Sequence, residues 1–289
     1  MQSSGDPVPS IGEAEATGEI AELYADIRET LGMSFVNLIW RNLASIPGGL
    51  RWTWETMKPL YANGEVYVEA DALRDGQDLP PVPRFSGAAL RSVGVGADDE
   101  TAIRSALLGY DRGNPLNIVS FSAVMARLNG EAPPTSPPAR QPPPQSTATS
   151  PAPAMLNFEQ MPPHVAEMVR AVNLIGARGK ARDVQVSLPR NLAHWPGFLA
   201  LYYCALQPLH DDGSLLAAID AVLSDGRRRG VAVSGALGST DLPGADTAAA
   251  VKASLDNLVP NAMGRMIPVV SLLLRLMPIE PDDVSSERF

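Results

Sequence analysis

Apolar positions along this chain recur at helical spacing. Ile20, Leu23, Tyr24, Ile27 and Leu31 step by three and four residues, which predicts a helix over 13–31 with one face turned to a core. The same stretch is rich in Ala, Glu and Leu, all good helix formers, and Gly32 offers a stop. A second helix is predicted over 35–44, broken by Ile46-Pro47-Gly48-Gly49. A third runs over 50–61, with Trp52, Trp54, Met57 and Leu60 as candidate core residues. Asn63-Gly64 marks a turn, and a helix over 66–73 follows it. Beyond the connection LPPVPRF, helices are predicted over 98–110 and 116–128, the former opened by Asp98-Asp99-Glu100, which suits a helix N-terminus. Strand alternation is scarce, since Val231-Ala232-Val233 is too short to count. The predicted class is all-α.

The pattern is written twice. Arg41-Asn42-Leu43-Ala44, Pro47-Gly48 and Pro59-Leu60 return as Arg190-Asn191-Leu192-Ala193, Pro196-Gly197 and Pro208-Leu209, always 149 positions later. Asn63-Gly64 and Asp212-Gly213 keep that offset. Ile103-Arg104 and Leu107 match Val251-Lys252 and Leu255, and Arg127-Leu128 matches Arg275-Leu276. We expect two related multi-helix repeats, each of about five or six helices, packed about a pseudo-twofold axis. Their boundaries are 1–130 and 156–289. Between them, residues 131–155 hold nine of the 27 prolines (APPTSPPARQPPPQSTATSPAPA), which forbid helix interiors and central strands. Such a segment reads as an extended spacer; its spaced prolines also fit an SH3-type ligand. Two fused copies can close against each other as an isologous dimer does, and each copy can then change independently. The seam is therefore where an asymmetric site is expected.

Composition narrows the chemistry. The 289 residues are 45% hydrophobic and 19% charged, a globular balance. Asp and Glu outnumber Lys and Arg by 32 to 23, a formal charge of −9, so no nucleic-acid partner is expected. The first residues lack the basic and apolar regions of a signal peptide, and Met266–Met277 reads as too short to span a bilayer. The expectation is a cytoplasmic protein with no membrane partner, open to homodimer formation. A lone Cys204, in LALYYCALQPL, excludes an internal disulfide and reads as a buried small hydrophobe. It also leaves no room for the paired-cysteine chemistry of peroxidase-like helical proteins. His164, His194 and His210 form no metal spacing, so neither metal nor cofactor is expected. His194 reads as a general base or, alternatively, a helix-end surface residue. Asp225-Gly226-Arg227-Arg228-Arg229-Gly230 reads as a solvated loop that could contact an anion. Arg41 and Arg190 lie in apolar, aromatic-rich surroundings, as a binder of a small carboxylic acid would. The alternative is that each braces its own repeat.

Several blocks resemble the group I (DL-2-haloacid) dehalogenase family. They are Tyr24 to Leu31, Arg41 to Gly48 with Trp54, Gly113-Asn114-Pro115, and Leu192-Ala193-His194-Trp195-Pro196. The resemblance implies an all-α fold of two related repeats with the active site between them. It also implies an activity, hydrolysis of 2-haloalkanoic acids by a water that attacks the halogen-bearing carbon directly. Such a reaction needs a base for the water, a group that positions it, and apolar walls for the alkyl chain. By resemblance, Asn114 helps position the water, Ser187 is a pocket serine, and Phe35 and Leu38 form pocket walls. A threonine and a glutamate of the family fall at Asn63 and Tyr67. The family's catalytic aspartate falls at Leu188, which cannot accept a proton. Two readings follow. In one, Asp183 replaces the missing base and the protein is a hydrolase of small 2-substituted carboxylic acids. In the other, it is a relative that binds a small apolar acid at the repeat interface, or has a different activity, without dehalogenating. A scaffold role recruiting partners through residues 131–155 is a third.

Overall fold

The structure, a computed structural model, describes residues 8–33, 35–131 and 154–279, so the predicted proline-rich linker lies almost wholly outside the described residues. In the first half the helices are α1 (Gly18–Leu31), α2 (Leu38–Ala44), α3 (Gly49–Asn63), α4 (Glu65–Asp75), α5 (Gly87–Ser92) and α6 (Ala97–Leu128). In the second they are α7 (Pro163–Asn173), α8 (Leu188–Asn191), α9 (Pro196–Asp211), α10 (Ser214–Val233), α11 (Ala245–Leu258) and α12 (Arg265–Leu276). A π-turn, Val259–Gly264, joins the last two. No strand occurs among the described residues. The all-α prediction stands.

Local chemistry explains the differences from the predicted boundaries. α1 starts at Gly18, not 13, because Glu13 is used elsewhere: its carboxylate accepts from the Val36 N–H at 2.7 Å and pairs with Arg28. Gly32, at φ +62°, then closes the helix with its N–H on the Arg28 and Glu29 carbonyls. The predicted helices 98–110 and 116–128 are one 32-residue helix running through Pro115. An interior proline costs about 3 kcal/mol. Here every residue from Gly113 to Val124 is buried, and packing on all sides outweighs that cost.

The predicted Asp225–Gly230 loop is part of α10, whose glycines face α6. A Cβ on Gly226 would meet Ile118 at 2.3 Å, and one on Gly230 would meet Ser122 at 2.3 Å, so only glycine lets the two backbones approach this closely. Arg228 and Arg229 are held by Asp225 on the same helix. Cys204 is exposed rather than buried, because α9 turns its Phe198, Leu199, Tyr202 and Leu206 inward instead.

The two apolar cores do not follow the two halves of the sequence. One gathers the buried side chains of α1 to α4 but also takes Val251, Leu255 and Leu258 of α11. The other gathers α7 and α9 but also takes Ile103, Leu107 and Tyr110 of α6. Each half thus lends the first part of its long helix to the other core. Residues 245–276 form one helical run of 32 residues, long and apolar enough by length and composition to cross a membrane. Met266–Met277 is therefore not the short isolated stretch the sequence suggests. Its apolar window is 67% buried inside the protein, which is the place of a core helix.

Candidate functional site

A cavity of ≈ 40 Å³ is lined by residues from both halves of the sequence, including residues of both long helices. That is room for roughly three water-sized positions at ~10–15 Å³ each. Its first-half wall comes from the turn into α2 (Phe35, Asn37, Leu38, Ile39) and from Tyr110 and Asn114, one turn apart on α6. The second-half wall comes from the entry to α8 (Val186, Ser187, Leu188) and from Leu258, Ala262, Met263 and Met266 around the π-turn. Leu258, Ala262 and Met266 are spaced by four and so share a face. π-turns interrupt helices where a site needs a different register.

Lining positions pair across the two halves of the sequence. Asn37 and Val186, Leu38 and Ser187, and Ile39 and Leu188 are each 149 positions apart. Tyr110 and Leu258, and Asn114 and Ala262, are each 148 apart.

Two polar atoms in this lining lack partners. Asn114 Nδ2 is a buried donor with no acceptor, and Asn37 Oδ1 is a buried acceptor with no donor. Leaving such a group unpaired costs about 1–3 kcal/mol, so each invites a ligand or water. The Tyr110 hydroxyl donates to Asn191 Oδ1 at 2.5 Å. Burial pushes its pKa up, opposed by the charges of Arg41 and Arg190 and by a hydrogen bond with Ser187, and it stays neutral. The positive field of both arginines therefore reaches the cavity wall at Tyr110. Among the described residues, no Asp, Glu or His lines the cavity.

Of the residues singled out from sequence, the structure brings Phe35, Leu38, Asn114, Ser187 and Leu188 together on this cavity. Leu188 is fully buried. Asp183 is exposed and absent from the lining, because residues 179–183 form a surface 3-10 turn whose buried member is Ala181. The expected substitute base is therefore not placed where it could take a proton from a water in the cavity. Arg190 lies behind the wall: its Nε donates to the Leu156 carbonyl at 2.8 Å and its Nη2 to Asn157 Oδ1 at 2.6 Å. That is the bracing role. Arg41 is also buried behind the wall, and its carbonyl accepts from the Ile11 N–H at 3.0 Å. His194 is exposed and bonded to the Ala154 carbonyl at 2.8 Å. Asn63 and Tyr67 are outside the lining, the Tyr67 hydroxyl donating to the Thr30 carbonyl at 3.2 Å.

Behind the second wall, Arg265 is 1% exposed and fastens the strand-like approach to Ser187. Its guanidinium donates to the carbonyls of Asn173, Ala181 and Val184 at 2.9, 3.3 and 3.2 Å. Asn173 adds its own pair, donating to the Val184 carbonyl and accepting from the Val186 N–H at 3.0 Å. Burial lowers the Arg265 pKa to about 10, still high enough to keep it charged at neutral pH. Sequence reasoning missed Asn37 and Tyr110. Tyr110 was signalled by lying four residues before Asn114 on one helix face; Asn37 carried no local signal.

This fold defines a class: it is that of the D-2-haloacid dehalogenases. The structure of a D-2-haloacid dehalogenase mutant superimposes with a TM-score of 0.74 at 18% identity, covering 95% of both chains. A D-2-haloacid dehalogenase in complex with L-LA superimposes with a TM-score of 0.73, at 18% identity, over 96% of this chain and 95% of the other. In sequence, the chain is 33% identical over 87 residues to an (R)-2-haloacid dehalogenase of Pseudomonas putida, 28% of this chain and 29% of that protein. It is 26% identical over 116 residues to a configuration-inverting 2-haloacid dehalogenase of Pseudomonas sp. (strain 113), 40% of this chain and 38% of that protein. These matches span well under half of either curated relative's length. No family model matches the chain. Part of the chain is thus similar in sequence to 2-haloacid dehalogenases, and the whole shares the all-α fold of the D-2-haloacid dehalogenases.

Proposed function

We propose that this dehalogenase-like protein binds a small 2-substituted carboxylic acid in the cavity between its halves, and that it does so without fast direct-water dehalogenation. The observation that carries the reading is Asn114, whose buried Nδ2 lacks an acceptor in an apolar cavity that Phe35, Leu38, Ser187 and Leu188 also line. The field of Arg41 and Arg190 favours an anionic head near Tyr110, while Leu258, Met263 and Met266 suit an alkyl chain. That no carboxylate or imidazole lines the cavity among the described residues supports the second half of the proposal, because losing a general base forfeits about 100- to 10,000-fold in rate. The near-constant offsets of the paired lining residues, 149 and 148, support a pseudo-twofold relation between the halves, with its axis through the cavity.

The test is thermal denaturation with and without 2-chloropropionate and lactate, read beside a halide assay. The reading expects ligand-dependent stabilisation that Asn114→Ala weakens, with halide release near background. Absence of stabilisation by every small acid would reject it. Rapid halide release would instead restore the hydrolase with Asp183 in a rearranged loop, and Asp183→Ala would then abolish activity.

A further inference from the structure

Among the residues that line this small apolar cavity, one carries a buried unpaired donor and one a buried unpaired acceptor. Asn114 is 4% exposed and Asn37 is 9% exposed, and the two free atoms do not bond each other. A carboxylate on the ligand satisfies Asn114 Nδ2, since it can only accept. Asn37 Oδ1 needs the opposite, a hydrogen-bond donor from the ligand. A halogen at carbon 2 carries no proton and cannot supply one; a hydroxyl at carbon 2 can. The remaining lining is consistent with one orientation. The polar groups Asn37, Tyr110 and Asn114 come from one wall; their counterparts 149 or 148 positions later, Val186, Leu258 and Ala262, are apolar, leaving Ser187 as the polar lining residue of the other wall.

We propose that the cavity is a site for small 2-hydroxy acids, chosen over 2-halo acids by the Asn37 carbonyl oxygen. The carboxylate accepts from Asn114 Nδ2, the 2-hydroxyl donates to Asn37 Oδ1, and the alkyl group points to Met263 and Met266. The inference rests on the reading of the cavity as an acid site and adds the discriminating residue. Asn37 is the N-cap residue of α2 but its side chain makes no capping hydrogen bond there, so its replacement is expected to change relative affinities more than the fold. A bound 2-halo acid leaves Asn37 Oδ1 buried and unpaired, and a site built to hydrogen-bond a hydroxyl rejects the analogue that lacks one.

The experiment is calorimetric titration of the full chain with each enantiomer of lactate, with 2-chloropropionate and with propionate, repeated on Asn37→Leu and Asn37→Ala. The expected result is at least about tenfold tighter binding of one lactate enantiomer than of 2-chloropropionate, ~1.4 kcal/mol. In either variant that preference collapses to about unity while 2-chloropropionate binds as well or better. Equal affinities in the unmodified protein overturn the inference, as does a preference that survives in a variant with native circular dichroism. Either outcome leaves the acid-site reading standing. Failure of all four acids to bind removes both.

Discussion

The two walls of the cavity start from equivalent stretches of sequence and differ in kind. On the first-half wall Asn37, Tyr110 and Asn114 bring polar atoms to the space; 149 or 148 positions later the second half has Val186, Leu258 and Ala262. Only Leu38 and Ser187 differ in the opposite sense. The long helices that carry these positions also differ: α6 runs unbroken past Asn114, whereas the second-half run opens into a π-turn at Ala262. Identical walls would suit a symmetric ligand or none. Unlike walls orient a ligand with one polar end and one apolar end, which is what a short-chain acid has.

The largest effect expected from this contrast is a gain. Leu188→Asp puts a carboxylate on the second wall, opposite Asn114, and halide release from 2-chloropropionate should rise by about 100- to 10,000-fold over the unmodified protein. No rise in a folded variant would mean that Asn114 is not poised to work with a base at that position. Next in size is Arg265→Met, which takes the guanidinium away from the carbonyls of Asn173, Ala181 and Val184, the last two keeping the Val184 N–H and the Asn173 amide as partners. At about 1–3 kcal/mol for a buried group left unpaired, denaturant unfolding should show a loss of that order. Acid binding should weaken with it, because the approach to Ser187 loosens. An unchanged midpoint would remove Arg265 from the account of the second wall.

How much of this was legible in the sequence depends on range. Helix type followed from local spacing, as with Ile20 to Leu31, and five cavity residues followed from short motifs around Phe35, Asn114 and Ser187. The continuity of α6 through Pro115 was not legible, because the packing that outweighs the proline comes from helices far away in sequence. The exchange of Ile103–Tyr110 and Val251–Leu258 between cores was hidden for the same reason. Periodicity says that a face is buried, not against which half. Asn37 fell inside the predicted helix over 35–44 with nothing to mark it, and only its unpaired oxygen in the folded chain sets it apart. Asp183 was chosen by proximity in sequence, and a turn that keeps Ala181 inside puts it on the surface.

A smaller expected effect sharpens the contrast between the walls. Asn114→Ala should weaken acid binding by about tenfold, the worth of a hydrogen bond to a charged group, whereas Ala262→Ser at its counterpart should change it little. Equal losses at both positions, read by titration, would erase the difference between the walls. The smallest effect concerns Asp111, on α6 one residue past Tyr110. Burial raises its pKa above the usual carboxylate range, against the opposing charge of Arg74 and a hydrogen bond from Ser271. A carboxyl with a raised folded pKa holds its proton more tightly folded than unfolded, so its contribution to stability falls as pH rises from about 4. Thermal unfolding of Asp111→Asn should lack that part of the decline. An identical pH profile in variant and unmodified protein would contradict it.

The most direct test of the central claim is one titration of the unmodified protein with 2-chloropropionate, followed by calorimetry with halide measured in the same sample. Saturable binding with halide no higher than the uncatalysed background is the predicted result. Halide release at a rate that consumes the ligand during the titration, or no binding at all, would contradict it.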